Sequence, residues 1–229
     1  MLVYDPTRPL VSLHLPKTGG TSFRQVLQTW FPEGTLHLHY SLNGQRPERH
    51  DLKAGDCVHG HFNGARGFGV WHYDPEARQC IAFFREPFDL FLSYWFFIRK
   101  QQALGHPVKD LEDDPSFEVW LLRRAADQAE GHNSHSFVWQ MPVAPGTEDL
   151  DRLLDERFVF VGIMERYEES VTALARLLGR PLIDLPHVNI TERDSDFNAW
   201  RRIYERWFPD EYDIYEKARA RNAALIAGI

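Results

Sequence analysis

Residues 11–30 constrain this chain more than any other segment. Val11-Ser12-Leu13-His14-Leu15 alternates apolar and polar positions, the pattern of a half-buried strand. Phe23, Val26, Leu27 and Trp30 then recur at the spacing of one helix face. Between them lies Pro16-Lys17-Thr18-Gly19-Gly20-Thr21-Ser22. A strand–loop–helix of this composition presents backbone N–H groups at a helix N-terminus, where an anion is favoured. Lys17 adds a point charge, Gly19 and Gly20 permit close approach of the backbone, and Thr18, Thr21 and Ser22 add donors. The loop is not a Walker A motif, because its lysine precedes the glycine pair instead of following the second glycine.

Two further segments carry chemistry. Ile81-Ala82-Phe83-Phe84 is a short continuous apolar run, as expected of a parallel strand buried on both faces. It leads into Arg85-Glu86-Pro87, with Pro87 suited to the first turn of the next helix and Ser93 about two turns along it. An arginine at a strand end can fork onto a phosphate, and a serine hydroxyl can donate alongside it. Cys57-Val58-His59-Gly60-His61-Phe62 also alternates, which places His59 and His61 on one side of a strand. A neutral imidazole, with a reference pKa of about 6.5, suits removal of a proton from an alcohol near neutral pH.

Strands are expected over 10–15, 56–62, 80–84 and 157–163, and helices over 20–30, 87–103, 115–129, 166–179, 196–207 and 210–227. Strands alternating with helices imply a single α/β domain over residues 1–229, P-loop-like, three layers deep, with a central parallel sheet flanked by helices. Ligands of such sheets bind at the carboxyl ends of the strands, where Lys17, His61 and Arg85 all fall.

The loop 16–22 resembles the 5′-phosphosulfate loop of sulfotransferases that use 3′-phosphoadenosine 5′-phosphosulfate (PAPS). Arg85-Glu86-Pro87 followed by Ser93 resembles the site where that family holds the 3′-phosphate, with Glu86 where aspartate is more usual. His59-Gly60-His61 resembles the pair of the heparan and uronyl 2-O-sulfotransferases. That resemblance implies His61 as the base toward the acceptor hydroxyl, with His59 as its companion. It also implies PAPS as cofactor, bound by residues 16–22, Arg85 and Ser93, with Lys17, His61 and His59 catalytic and no metal required. Val161-Gly162 with the following Glu165 is similar to a late strand of the same family, though a buried strand and a helix start explain Glu165 as well. Asn189 and Thr191 are weaker candidates for contacts on the adenosine side, and His132 and His135 for contacts with the acceptor.

The histidines admit another reading. His37 with His39, and His59 with His61, could join His72 in a metal site, but no H-E-x-x-H or paired C-x-x-C supports it. His37 and His39 read more simply as partly exposed residues of an edge strand or loop. Two other functions stay open: a nucleotide kinase of the same broad fold, disfavoured by the missing Walker A loop, and a catalytically silent binding module.

Acidic residues outnumber basic ones 33 to 26, for a net charge of −7. That speaks against nucleic acid as partner and against a long cationic trough for a polysulfated chain. Arg123-Arg124 and Arg201-Arg202 are expected on solvated helix faces. A hydroxyl on a sugar or other small molecule is the expected acceptor, with the glycine-rich stretch 63–69, Trp71 and Tyr73 as an aromatic lip. Two cysteines indicate no disulfide framework and a reducing compartment. The N-terminal residues do not resemble a signal peptide and no apolar stretch is long enough to span a bilayer, so a soluble, bacterial-type cytoplasmic enzyme without a membrane anchor is expected.

Overall fold

The inner strands carry apolar side chains on both faces, and each face has a helix layer to meet. The computed structural model describes residues 1–41, 45, 47–62, 69–70, 74, 77–130, 150–185 and 197–228. Five parallel strands, β1 (Leu10–Leu13), β2 (Leu36–His39), β3 (Cys57–Gly60), β4 (Cys80–Phe84) and β5 (Phe158–Ile163), form one sheet in the order β2-β3-β1-β4-β5. The described helices are α1 (Gly20–Trp30), α2 (Pro87–Ala103), α3 (Phe117–Ala129), α4 (Leu150–Arg157), α5 (Tyr167–Leu178), α6 (Asn198–Trp207) and α7 (Pro209–Gly228).

On one face, Val11 and Leu13 of β1, Ala82 and Phe84 of β4, and Val161 and Ile163 of β5 pack with Leu153 and Leu154 of α4 and Ile214 and Ala218 of α7. On the other, Leu10, Ile81, Phe83 and Phe160 meet Phe23, Val26 and Leu27 of α1 and Val171 and Leu174 of α5. A register shift between Cys80 and Ile81 leaves Val159 and Phe160 on the same face before the alternation resumes.

Half of the described aromatic side chains go elsewhere. Phe88, Phe91 and Trp95 of α2 join Phe117 and Trp120 of α3 and Tyr204 of α6 in a separate cluster beside the sheet. Most ring pairs within it are tilted or edge-on, as between Phe91 and Trp120 at 4.4 Å and Phe117 and Trp95 at 5.7 Å, while Tyr204 and Phe208 stack at 4.5 Å. Complete burial of such a side chain is worth about 1.5–3 kcal/mol, so this cluster anchors α2 independently of the sheet.

The structure departs from the sequence expectations at several points. Helix α4 was not foreseen, because eight residues dense in charge show little beyond Leu153 and Leu154 as an apolar stripe. β2 is an edge strand, but of its two histidines only His37 is partly exposed. His39 is buried with its ring stacked 4.4 Å from that of Phe62. Nor are the arginine pairs simply solvated. Arg124 lies over the Trp120 ring and pairs with Asp110 and Asp127, and Arg201 lies over Phe88 and pairs with Glu86 and Asp89. Both cysteines are buried and free, on strands separated by β1. Among the described residues no helix is long and apolar enough to cross a membrane.

Candidate active site

After β1 the chain turns sharply into α1, and the turn is held from inside. The Thr18 hydroxyl donates to the Leu15 carbonyl at 2.7 Å, so this side chain braces the loop and faces inward. Lys17 and Gly19 both adopt left-handed backbone, with φ of 66° and 72°. For glycine this is free of strain, whereas lysine bears a cost there. Helix α1 begins with no side-chain cap and no acidic residue in its first turn. Its leading N–H groups therefore offer a partial positive charge to an incoming anion. A Cβ on Gly19 would stand 2.6 Å from the Met164 methyl, so the side chain following β5 closes the back of the loop.

Arg85 reaches the same loop from the end of β4, donating from Nη1 to the Lys17 carbonyl at 3.1 Å. The Lys17 ammonium lies 4.6 Å from the centre of the Phe97 ring on α2. Burial pulls the Lys17 pKa down, and the nearby charges of Arg85 and Lys100 lower it further. Ser93, Phe97 and Lys100 follow one another at intervals of four and three along α2, a single helix face. Ser93 itself is buried. No carboxylate of the described residues pairs with Lys17, so the loop gathers positive charge that an anion would neutralise.

The histidines form a column. His59 is fully buried on β3, with Nδ1 2.8 Å from the hydroxyl of Ser12, its register partner on β1. The His14 ring lies nearly parallel to that of His59 at 5.3 Å, and the His61 ring lies over His14 at 4.2 Å. His61 is exposed at the top of the column. Its Nδ1 lies 2.6 Å from the His14 carbonyl. A carbonyl can only accept, so Nδ1 carries the hydrogen, and the neutral ring keeps its lone pair at Nε2.

Removal from water lowers the pKa of all three rings, for His61 through the face packed on His14 while its outer edge stays exposed. His14 falls to about 2, with His61, His59, Arg24 and Lys17 adding to the effect. His59 falls to about 3, although the nearby Gly20 backbone favours its charged form, and His61 is lowered while its bond to the His14 backbone opposes the shift. His59 Nε2 makes no hydrogen bond. Gly60, between the two histidines, is required by packing: a Cβ there would lie 1.9 Å from the His39 carbonyl oxygen of β2.

A network not foreseen in the sequence fixes the corner that carries Arg85. Glu86 caps α2 by accepting from the Asp89 N–H at 2.8 Å, and it also accepts from the Tyr212 hydroxyl and pairs with Arg201. The Glu86 N–H donates to Glu165 at 3.0 Å, and Glu165 also accepts from the Tyr215 hydroxyl. Burial holds both tyrosine pKa values above the ordinary range, and the carboxylates raise them further. Proton donors 126 and 50 residues away along the chain thus converge on Glu86 and Glu165. Only the placement of Arg201, Tyr212 and Tyr215 on two packed helices reveals the connection.

Lys17, Thr18, Gly19, Gly20, Arg85, Ser93, His59 and His61 therefore gather at the carboxyl end of the sheet, with Pro16, Thr21 and Ser22 in the same turn. Among the described residues no group of three His, Cys, Asp or Glu side chains is arranged to hold a metal ion. The stretch 63–68, Trp71, His72, Tyr73, His132, His135, Asn189 and Thr191 lie outside the described residues. No family model and no curated protein matches the chain. Among solved structures, the fold is similar to that of mouse sulfotransferase SULT7A1 complexed with PAP. The TM-score is 0.51 and the identity 12%, over 96% of this chain and 89% of that one.

Proposed function

We propose that this chain is a PAPS-dependent O-sulfotransferase. The observation that carries the reading is the convergence of an uncapped, cationic helix N-terminus with an exposed histidine whose Nε2 is left as acceptor. The residues present suit the cofactor's anions. The glycine turn admits a sulfonated phosphate to backbone N–H groups, and Arg85 and Ser93, in the motif that resembles the family's 3′-phosphate site, would hold a second phosphate. That the similar fold of the mouse sulfotransferase is described with PAP supports this choice of nucleotide.

Bound PAPS supplies a sulfuryl group on a good leaving phosphate. His61 Nε2 would take the acceptor's proton as that group passes in line to the acceptor oxygen, away from the bridging oxygen of the leaving phosphate. Lys17 and the N–H groups at the start of α1 stabilise the charge that grows on that oxygen. His59, fully buried, supports the column from below and leaves proton transfer to His61. The His-Gly-His pair supports a place near the uronyl 2-O-sulfotransferases, and the net charge of −7 supports a sugar or small-molecule hydroxyl over a polyanionic chain as acceptor.

Calorimetry with adenosine 3′,5′-bisphosphate and with ATP, each without and with Mg²⁺, tests the reading. Tight Mg²⁺-independent binding of the bisphosphate is expected. Preference for ATP with Mg²⁺ would make the chain a kinase, and bisphosphate binding without transfer of labelled sulfate to any hydroxyl acceptor would make it a silent binding module.

A further inference from the structure

We infer that His14 is a positioning residue that clamps His61 to the anion loop, and that Tyr40 fixes the His14 ring in turn. This rests on the reading of His61 as the base. His14 belongs to the loop segment yet carries no role in anion binding, and its contacts run to the other motif. Its backbone bonds twice to the His-Gly-His strand. The His14 N–H donates to the Gly60 carbonyl at 2.8 Å, and its own carbonyl takes the His61 Nδ1 hydrogen at 2.6 Å. The backbone of one residue, three positions before Lys17, thereby fixes both the tautomer of His61 and its distance from the loop.

The side chain fixes what the backbone cannot, the plane of the ring. His61 lies 4.2 Å over His14, and the Tyr40 ring meets His61 edge-on at 5.1 Å. The Tyr40 hydroxyl is 2.8 Å from His14 Nδ1. The other edge of His14 occupies space that only a glycine provides, since a Cβ on Gly20 would fall 1.9 Å from His14 Cδ2 and 2.1 Å from Nε2. Gly20 thus serves both motifs: it opens the anion turn and makes room for the ring beneath the base. Among the described residues, the titratable or charged groups around the column are His59 from β3, Tyr40 after β2, Arg24 from α1 and Lys17 from the loop, none of them a carboxylate. His61 is therefore kept neutral, ready to accept a proton.

His14→Ala, His14→Phe, Tyr40→Phe and Gly20→Ala test the clamp, each read by bisphosphate affinity, by kcat, and by NMR titration of the His61 ring. His14→Ala should lower kcat about tenfold to a hundredfold, the scale of a misplaced reacting group, with bisphosphate affinity nearly unchanged. The His61 pKa should rise toward its ordinary value of about 6.5 as burial is relieved. His14→Phe keeps a stacked ring and Tyr40→Phe keeps the whole column, so both should be milder in the same direction. Gly20→Ala should damage turnover, and adding His14→Ala to it should restore part of the loss by removing the collision. An unmoved His61 titration and unchanged kcat in His14→Ala would overturn the inference, as would strictly additive losses in the Gly20 and His14 double variant. Failure of the wild-type protein to bind bisphosphate would instead count against the sulfotransferase reading, and the His61 titrations would still decide whether His14 positions that ring.

Discussion

Arg85 donates to the Lys17 carbonyl at 3.1 Å, so the cation at the end of β4 is tied to the backbone of the anion loop. The two motifs, 68 residues apart along the chain, are thereby joined. Arg85→Ala should therefore weaken adenosine 3′,5′-bisphosphate and AMP alike through the slackened loop, and weaken the bisphosphate further through the lost partner of its 3′-phosphate. Calorimetry with both nucleotides measures the two losses, and equal losses would remove Arg85 from the 3′-phosphate site.

Lys17→Ala should leave the melting temperature nearly unchanged and lower turnover by about two orders of magnitude or more, the effect of losing one electrostatic stabiliser. Lys17→Gly should also fold, because glycine accepts the left-handed φ of 66° without strain. Full turnover in either folded variant would exclude Lys17 from the chemistry.

His61→Ala should abolish turnover and spare bisphosphate affinity. His59→Ala should act first on stability, by about 2 kcal/mol or more, since it empties a fully buried site and strands the Ser12 hydroxyl. Chemical denaturation and initial rates on the two variants separate the roles, and a stable His59→Ala protein without turnover would reverse them.

Acid should destabilise the protein well before its carboxylates titrate. His14 and His59 are neutral in the folded chain down to pH values of about 2 and 3, whereas in the unfolded chain each takes up a proton below about 6.5. Unfolding then binds protons, so this contribution to stability is complete above about pH 6.5 and declines as pH falls. Each ring adds a slope of up to about 1.4 kcal/mol per pH unit. Urea titrations between pH 7 and 5 should show the decline, and His59→Asn should reduce its slope. A flat profile in the wild-type protein would show that these rings are not buried as neutral groups.

Glu86→Ala should lower the melting temperature, removing a helix cap worth about 1 kcal/mol and leaving Arg201 and Tyr212 without their shared partner. Tyr212→Phe should cost less, since it deletes only one donor to the carboxylate. A Glu86→Ala protein as stable as wild type would mean that the corner is held by Glu165 alone.

The parallel sheet and its helices were legible because their signals are local. Phe23, Val26, Leu27 and Trp30 mark α1, and the continuous run 80–84 can be buried on both faces only in such a sheet. The loop and the Arg85 corner were legible because their residue types are unusual at the junctions of strand and helix. What escaped depends on distance along the chain. Nothing near His14 announces that its ring fills the space at Gly20, and nothing near Glu86 announces Tyr212. Arg201 reads as a surface charge until its helix is laid against α2. His39 reads as exposed until Phe62 is seen beneath it. Short polar-rich helices such as α4 fail for a related reason, since two buried leucines in eight residues set no clear period.

The aromatic cluster on α2 also gives the protein an optical character. Of its seven tryptophans, Trp95 and Trp120 are buried in that cluster and Trp200 and Trp207 are packed against it. The helix they surround starts beside Arg85 and carries Phe97 beneath the Lys17 ammonium. Intrinsic emission will therefore be weighted toward this one region, and a change in it on addition of adenosine 3′,5′-bisphosphate would report a ligand beside Lys17 and Arg85 without any added label.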